Sequence, residues 1–168
     1  VYKAYGFGGF GSGIYEDPAS QPLEFLQSAL IRFPSLAGAL VGGPPSHLGL
    51  LAPGSDPLLV VWGLTSIPVA FLLLRWVWPD LDETTRRGMR WLFPAAFVSL
   101  VPVLATFPMD RLLLLPGVGI FPMLAAVLHR CWKGMREQRW LKLGAGVTLW
   151  FHGLMPLVVW MGMPLIFM

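Results

Sequence analysis

Charge and cysteine are what this sequence has least of. Asp, Glu, Lys and Arg make up 12% of its 168 residues, against roughly a quarter in soluble domains. With 55% hydrophobic residues and a mean hydropathy of +0.65, so little charge excludes an ordinary soluble domain. The single cysteine, Cys131, excludes an intrachain disulfide. It is expected in a basic loop and reads as a plain unpaired thiol. The three histidines, His47, His129 and His152, lack metal-ligand spacing. Gly-x-Ser-x-Gly, His-Glu-x-x-His and Walker patterns are missing. No catalytic residue, metal site or cofactor is therefore expected within these residues. The pI near 9.4 would suit nucleic acid, but no base-reading or phosphate-binding pattern accompanies it, and nucleic acid is not an expected partner.

What the chain does have is long apolar runs. Residues 57–78, 90–107, 112–129 and 143–168 are each long enough to cross a hydrocarbon core about 30 Å thick. The expected fold is all-α: a polytopic membrane helical bundle in a lipid bilayer, with residues 1–56 as an outer-face loop and amphipathic helix. Each run contains proline, which membrane helices tolerate as kinks. Trp76, Trp78, Trp91, Trp132 and Trp140 fall at run ends, where indoles favour the interface. The basic residues are lopsided. Arg75, Arg86, Arg87, Arg90, Arg130, Lys133, Arg136, Arg139 and Lys142 flank two loops on one side, and only Lys3, Arg32 and Arg111 fall on the other. By the positive-inside rule the N-terminal segment and the C-terminus face outward from the plasma membrane. The abrupt opening at Val1 reads as part of a longer protein, whose remaining N-terminal part would be a partner of this one.

Within the outer segment, residues 22–41 show near-helical apolar spacing up to the breaker "GGPPS". Glu24 and Arg32 would be costly in lipid, so a helix lying on the surface is expected. Gly38 and Gly42 form a small-xxx-small pair suited to close packing on another helix. "GFGGFG" at residues 6–11 matches the dinucleotide fingerprint literally, but "SGIYEDP" follows where a helix should open, so it reads as loop. The adjacent Glu16 and Asp17 precede Pro18 and read as a solvated turn. His152 lies inside the fourth run, where an ionisable group is by default a functional candidate. A hydrogen bond from its imidazole to a neighbouring helix is the simpler expectation.

The remaining question is the Asp110–Arg111 pair between the second and third runs. From the residues alone a tight turn with a snorkelling Arg suffices; the apolar run and "LPGVGIF" that follow are what point to a site. "MDRLLLLPGVGIFPMLAAVL" resembles a stretch of the C-type (GT-C) membrane glycosyltransferases, above all the protein O-mannosyltransferase-like and tetratricopeptide-associated members. There an acidic residue and Arg precede a Tyr-Leu-Tyr-Leu-Pro-Ser-x-Gly-Phe pattern. Asp110, Arg111, Leu113, Leu115, Pro116 and Gly119 occupy comparable positions, while leucines replace the tyrosines and Gly117 the serine. The Asp17-Pro18-Ala19 turn and the amphipathic stretch after it are also similar to the outer segment of that family. The resemblance covers roughly residues 5–129. It implies a part of an enzyme using a polyprenyl-phosphate-linked sugar, with the catalytic acid outside these residues and this part lining the lipid-donor groove. Substrate-binding roles are implied for Arg111 on the phosphate, Asp110 orienting it, and Arg32 as a second cation. The competing reading is a non-catalytic polytopic subunit or scaffold. Bending of the third span by Pro116 and Gly117–Gly119 is expected to open a cavity beside Arg111.

Overall fold

Asp17 sets the first helix. Its Oδ1 accepts from Ala19 N at 3.2 Å, its Oδ2 from the Ser20 hydroxyl at 2.9 Å, and its carbonyl from Gln21 N. Pro22 then supplies a first helical residue that has no N–H to leave unpaired. In the computed structural model, which describes residues 16–52, 54–106, 110–134 and 139–154, α1 runs Pro22–Val41. It ends at Gly42 with φ 137°, a backbone that glycine adopts freely. α2 is a single turn, Leu48–Leu51, and α3 spans Asp56–Val77, extended by a 3₁₀ turn at Trp78–Asp80. α4 covers Glu83–Val98, followed by 3₁₀ turns at Val101–Ala105 and Asp110–Leu113. α5 is Leu114–Gly134, α6 Arg139–Leu149, and a π turn follows at Trp150–Leu154. No strand occurs among the described residues. The fold is all-α, as the sequence leads one to expect.

Among the described residues, three helical stretches are long and apolar enough to cross a membrane: Asp56–Asp80, Glu83–Ala105 and Leu114–Gly134. The shortest has 21 residues, about 30 Å of helix. Which side chains they bury agrees with a lipid setting. α3 turns Leu59, Gly63, Ser66, Ala70, Leu74 and Val77 inward, a single stripe at steps of three and four residues. Leu58, Leu64, Phe71 and Leu72 point outward. Small residues inside and large apolar ones outside is the reverse of a water-soluble helix. Lipid tails solvate the outer leucines, so association depends on close backbone approach.

Two glycines provide that approach. A Cβ on Gly63 would collide with the Pro34 carbonyl of α1, and one on Gly38 would lie 3.1 Å from Gly63 Cα. Gly38 thus packs on another helix as its small-xxx-small spacing suggests. Gly119 of α5 lies against the Leu92 carbonyl of α4, 2.7 Å from Ala96 Cβ were it alanine. Leu36, Leu40, Met89, Leu100, Ile120 and Met123 fill the core between these contacts. The basic end is tied by guanidinium groups. Arg130 donates to the Trp76 carbonyl at 2.5 Å, pairs with Asp80 at 2.9 Å and stacks 4.5 Å over the Trp76 ring. Arg86 donates to the carbonyls of Trp78 and Pro79. Three carbonyls at the end of α3 and in the 3₁₀ turn after it, a place where helix geometry leaves such groups without partners, are thereby bonded.

Several expectations need correcting. The loop expected at residues 79–90 shrinks, because Asp82 caps α4, its side chain accepting from Thr85 N. The second span therefore starts at Glu83, seven residues earlier than the apolar run, and carries its arginines on its own first turns. Asp82 is fully exposed, and its hydrogen bond from Thr85 is the largest influence holding its carboxyl below the usual range. Cys131 is buried in the last turn of α5, not in a loop. Pro116 falls within the first turn of α5, where its missing N–H costs nothing, and Gly119 packs against α4. Of the fourth run, residues 155–168 lie outside the described residues, as does the "GFGGFG" stretch.

Candidate functional site

The segment "GGPPSH" between α1 and α2 and the 3₁₀ turn at Asp110 are far apart in sequence but meet in space. Asp110 Oδ1 accepts both from Ser46 N at 2.8 Å and from the Ser46 hydroxyl at 2.7 Å. Its Oδ2 lies 3.8 Å from His47 Nδ1. Ser46 is buried, whereas the Asp110 side chain remains 42% exposed. One carboxylate thus fixes the turn that follows α1 and keeps part of itself accessible.

What it is accessible to is a cavity of about 510 Å³ bounded by the end of α1, the Asp110 turn, α5, α6 and the π turn. Leu40, Leu113, Leu124 and Leu128 give it an apolar wall, and Asp110, Thr148 and His152 are its polar side chains. Its size falls within the range of small-molecule sites, which are mostly apolar with a few placed polar groups. His152 sits in the π turn, a departure from regular helix often found at functional positions. Its Nε2 lies 2.8 Å from the carbonyl of Val41, the last residue of α1. The ring meets Phe121 edge to face at 6.2 Å. A carbonyl can only accept, so Nε2 carries the proton in this contact. The hydrogen bond to a neighbouring helix is as expected. Thr148 donates its hydroxyl proton to the Gly144 carbonyl at 2.9 Å.

The residues singled out from the sequence do not all converge here. Asp110 lines the cavity. Arg111 is next to it in the same 3₁₀ turn, and its side chain lies outside the described residues. Arg32 is elsewhere, with its fork already used. One nitrogen donates to the Leu104 carbonyl at 2.9 Å, the other pairs with Glu16 at 2.5 Å. Glu16 also accepts from Ser28 and donates its backbone N–H to the Ala105 carbonyl. Glu16 and the buried Asp17 are consequently fastening groups, not a solvated turn. Sequence reasoning missed Ser46, His47 and Thr148. A Ser-His pair just after a Gly-Gly-Pro-Pro breaker was the available signal for the first two, since such a turn needs a partner for its freed N–H groups. Among the described residues no cluster of His, Cys, Asp or Glu could hold a metal ion.

Fold and site together define a class: a multi-pass, all-α membrane protein with a largely apolar cavity that ends at a carboxylate. Nothing more specific comes from relatives, for no protein-family model, curated protein or solved structure matches the chain.

Proposed function

We propose that the chain is the membrane part of a C-type glycosyltransferase, and that its cavity receives the lipid-phosphate-linked sugar donor. The observation carrying this reading is that Asp110, the acidic member of the Asp-Arg pattern, lines a cavity whose other walls are apolar. An amphiphile needs such a pairing of apolar wall and polar end. Arg111 meets the phosphate, since a planar guanidinium fork matches phosphate oxygens, and Asp110 holds the turn that presents it. Arg32 could reach a phosphate only by giving up Glu16 and the Leu104 carbonyl, so the role falls to Arg111. The basic end bearing Arg75, Arg86, Arg90, Arg130 and Lys133 lies in the cytoplasm, and the Asp110 turn on the outer face of the plasma membrane. The catalytic acid comes from another part of the same protein.

Arg111→Lys in the full-length protein tests this. Donor-lipid affinity should fall by about tenfold with thermal stability unchanged, because one ammonium replaces a bidentate contact. Unchanged affinity, or a loss that tracks unfolding, refutes it. A second reading, a non-catalytic scaffold, draws on the bonds that Asp110 and Arg32 make within the protein. It predicts that Arg111→Lys leaves lipid binding untouched.

A further inference from the structure

At the basic end of the spans the acidic side chains around the α3–α4 turn are all engaged. Asp80 pairs with Arg130 at 2.9 Å, Glu83 with Arg87 at 3.9 Å, and Asp82 caps α4. Arg86 spends its guanidinium on the Trp78 and Pro79 carbonyls. Arg75 and Arg90 are exposed, and neither has a hydrogen bond or an ion pair among the described residues. Both adjoin one indole. Arg90 stands over the Trp78 ring at 6.0 Å. Arg75 precedes Trp78 by three residues on the same helical side, a spacing that puts Cβ atoms about 5–6 Å apart. Contact with a ring face takes none of a guanidinium's N–H donors, so both forks remain free. Toward the hydrocarbon from these cations the surface is apolar. Phe71 and Leu72 lie one turn before Arg75 on α3, and Val98 two turns beyond Arg90 on α4, all more than half exposed. Trp91, 78% exposed beside Arg90, sits at the level that indoles favour.

We propose that Arg75 and Arg90 hold the phosphate of an anionic phospholipid in the leaflet at this end of the spans, its acyl chains lying on the apolar faces of α3 and α4. The head group supplies the counter-charge that these two cations lack within the protein, and a planar fork matches phosphate oxygens. A free anion would satisfy the charge but leave the apolar faces below unused; a lipid uses both. Basic pockets between membrane helices are a recurring setting for acidic head groups. General attraction of a basic surface for acidic lipid would engage every exposed cation alike, whereas this site assigns the binding to two of them. It lies at the opposite end of the spans from Asp110, and the inference is independent of the cavity and of glycosyl transfer.

The test titrates phosphatidylglycerol into the protein in phosphatidylcholine nanodiscs with matched acyl chains, and bound lipid is read by native mass spectrometry. Phosphatidylglycerol should be retained in preference to phosphatidylcholine. Arg75→Gln and Arg90→Gln should each weaken its binding about tenfold, the worth of one charged hydrogen bond. Arg87→Gln and Lys133→Gln, exposed cations at the same end, should each cost less than about threefold, the remnant of screened attraction. Arg75→Lys and Arg90→Lys, which keep the charge but not the fork, should fall between. Melting temperatures in lipid-free detergent should match that of the native protein. Equal losses for all four cations overturn the inference, because a diffuse basic surface then accounts for the binding. So does a native protein that retains phosphatidylglycerol no better than phosphatidylcholine. Displacement of the lipid by excess inorganic phosphate would make the site one for a free anion. A lowered melting temperature for Arg75→Gln or Arg90→Gln in detergent also refutes it, since those guanidinium groups would then hold the fold instead.

Discussion

Replacing Gly63 with alanine should loosen the contact between α1 and α3 more than any single loss of a buried methyl group. The new Cβ would fall inside the van der Waals envelope of the Pro34 carbonyl and 2.8 Å from Pro34 Cα. The obstacle is backbone, so no side chain can rotate away. The helices must separate by roughly 1 Å or more, and the packing of Leu36, Ala37 and Leu40, all essentially buried, loosens with them. Overpacking of this kind costs about 1–3 kcal/mol, and alanine's better helix propensity returns up to about 1 kcal/mol. The expected net loss is about 1–2 kcal/mol, roughly a five- to thirtyfold fall in the folded-to-unfolded ratio. Gly146→Ala is the control, since its Cβ would meet nothing within 4 Å and should be neutral or stabilising. Reversible unfolding from lipid micelles into sodium dodecyl sulfate gives both numbers. If Gly63→Ala matches the native protein to within about 0.5 kcal/mol, the close crossing of α1 and α3 does not hold the fold together.

Arg32→Leu should cost about 2 kcal/mol in the same assay, because it strands the Glu16 carboxylate and the Leu104 carbonyl; a neutral result would remove Glu16 and Arg32 from the fastening of the outer segment. Asp82→Ala should lower the melting temperature by removing the α4 cap. The Asp82 carboxyl is held below its usual range, so its contribution is present above the unfolded value of 3.8 and fades as pH falls below it. The difference between native and Asp82→Ala melting temperatures should therefore narrow on acidification through that range. In a Cys131→Ala background, Asp56→Cys should react with an impermeant maleimide in intact cells and Thr84→Cys should not, the two positions being exposed at the start of the first span and the start of the second; the reverse pattern would invert the orientation.

Much of the helix inventory was legible because hydropathy in a membrane chain is a one-dimensional property of length and composition. α1 was readable in its bounds, since Pro22 and Gly42 punctuate it at both ends. The start of α4 was not. Its first turns are Glu-Thr-Thr-Arg-Arg, and a helix that extends beyond the hydrocarbon ceases to look apolar while remaining helical; Asp82, a capping residue three positions before Thr85, was the overlooked sign. The contact made by Gly119 was not legible, because the Leu92 carbonyl that needs the space belongs to another helix. Glu16 and Arg32 looked like separate surface charges for the same reason. Asp110 was recognised as special, but its partner Ser46 is 64 residues away, and no local pattern encodes that distance.

The bond between His152 and Val41 joins residues 111 positions apart, so it fixes an order of events in the making of the protein. The last carbonyl of α1 leaves the ribosome long before the imidazole that will cover it. At about 5–20 residues per second, the delay is roughly 5–20 s. The Ser46 turn waits through the earlier part of that interval for Asp110. Until the π turn after α6 arrives, the Val41 carbonyl is open to water and to any chaperone or lipid that can hydrogen-bond it. The closing segment therefore works as a latch on the opening one. Truncation just before His152 would leave the three described spans in place but the end of α1 never sealed.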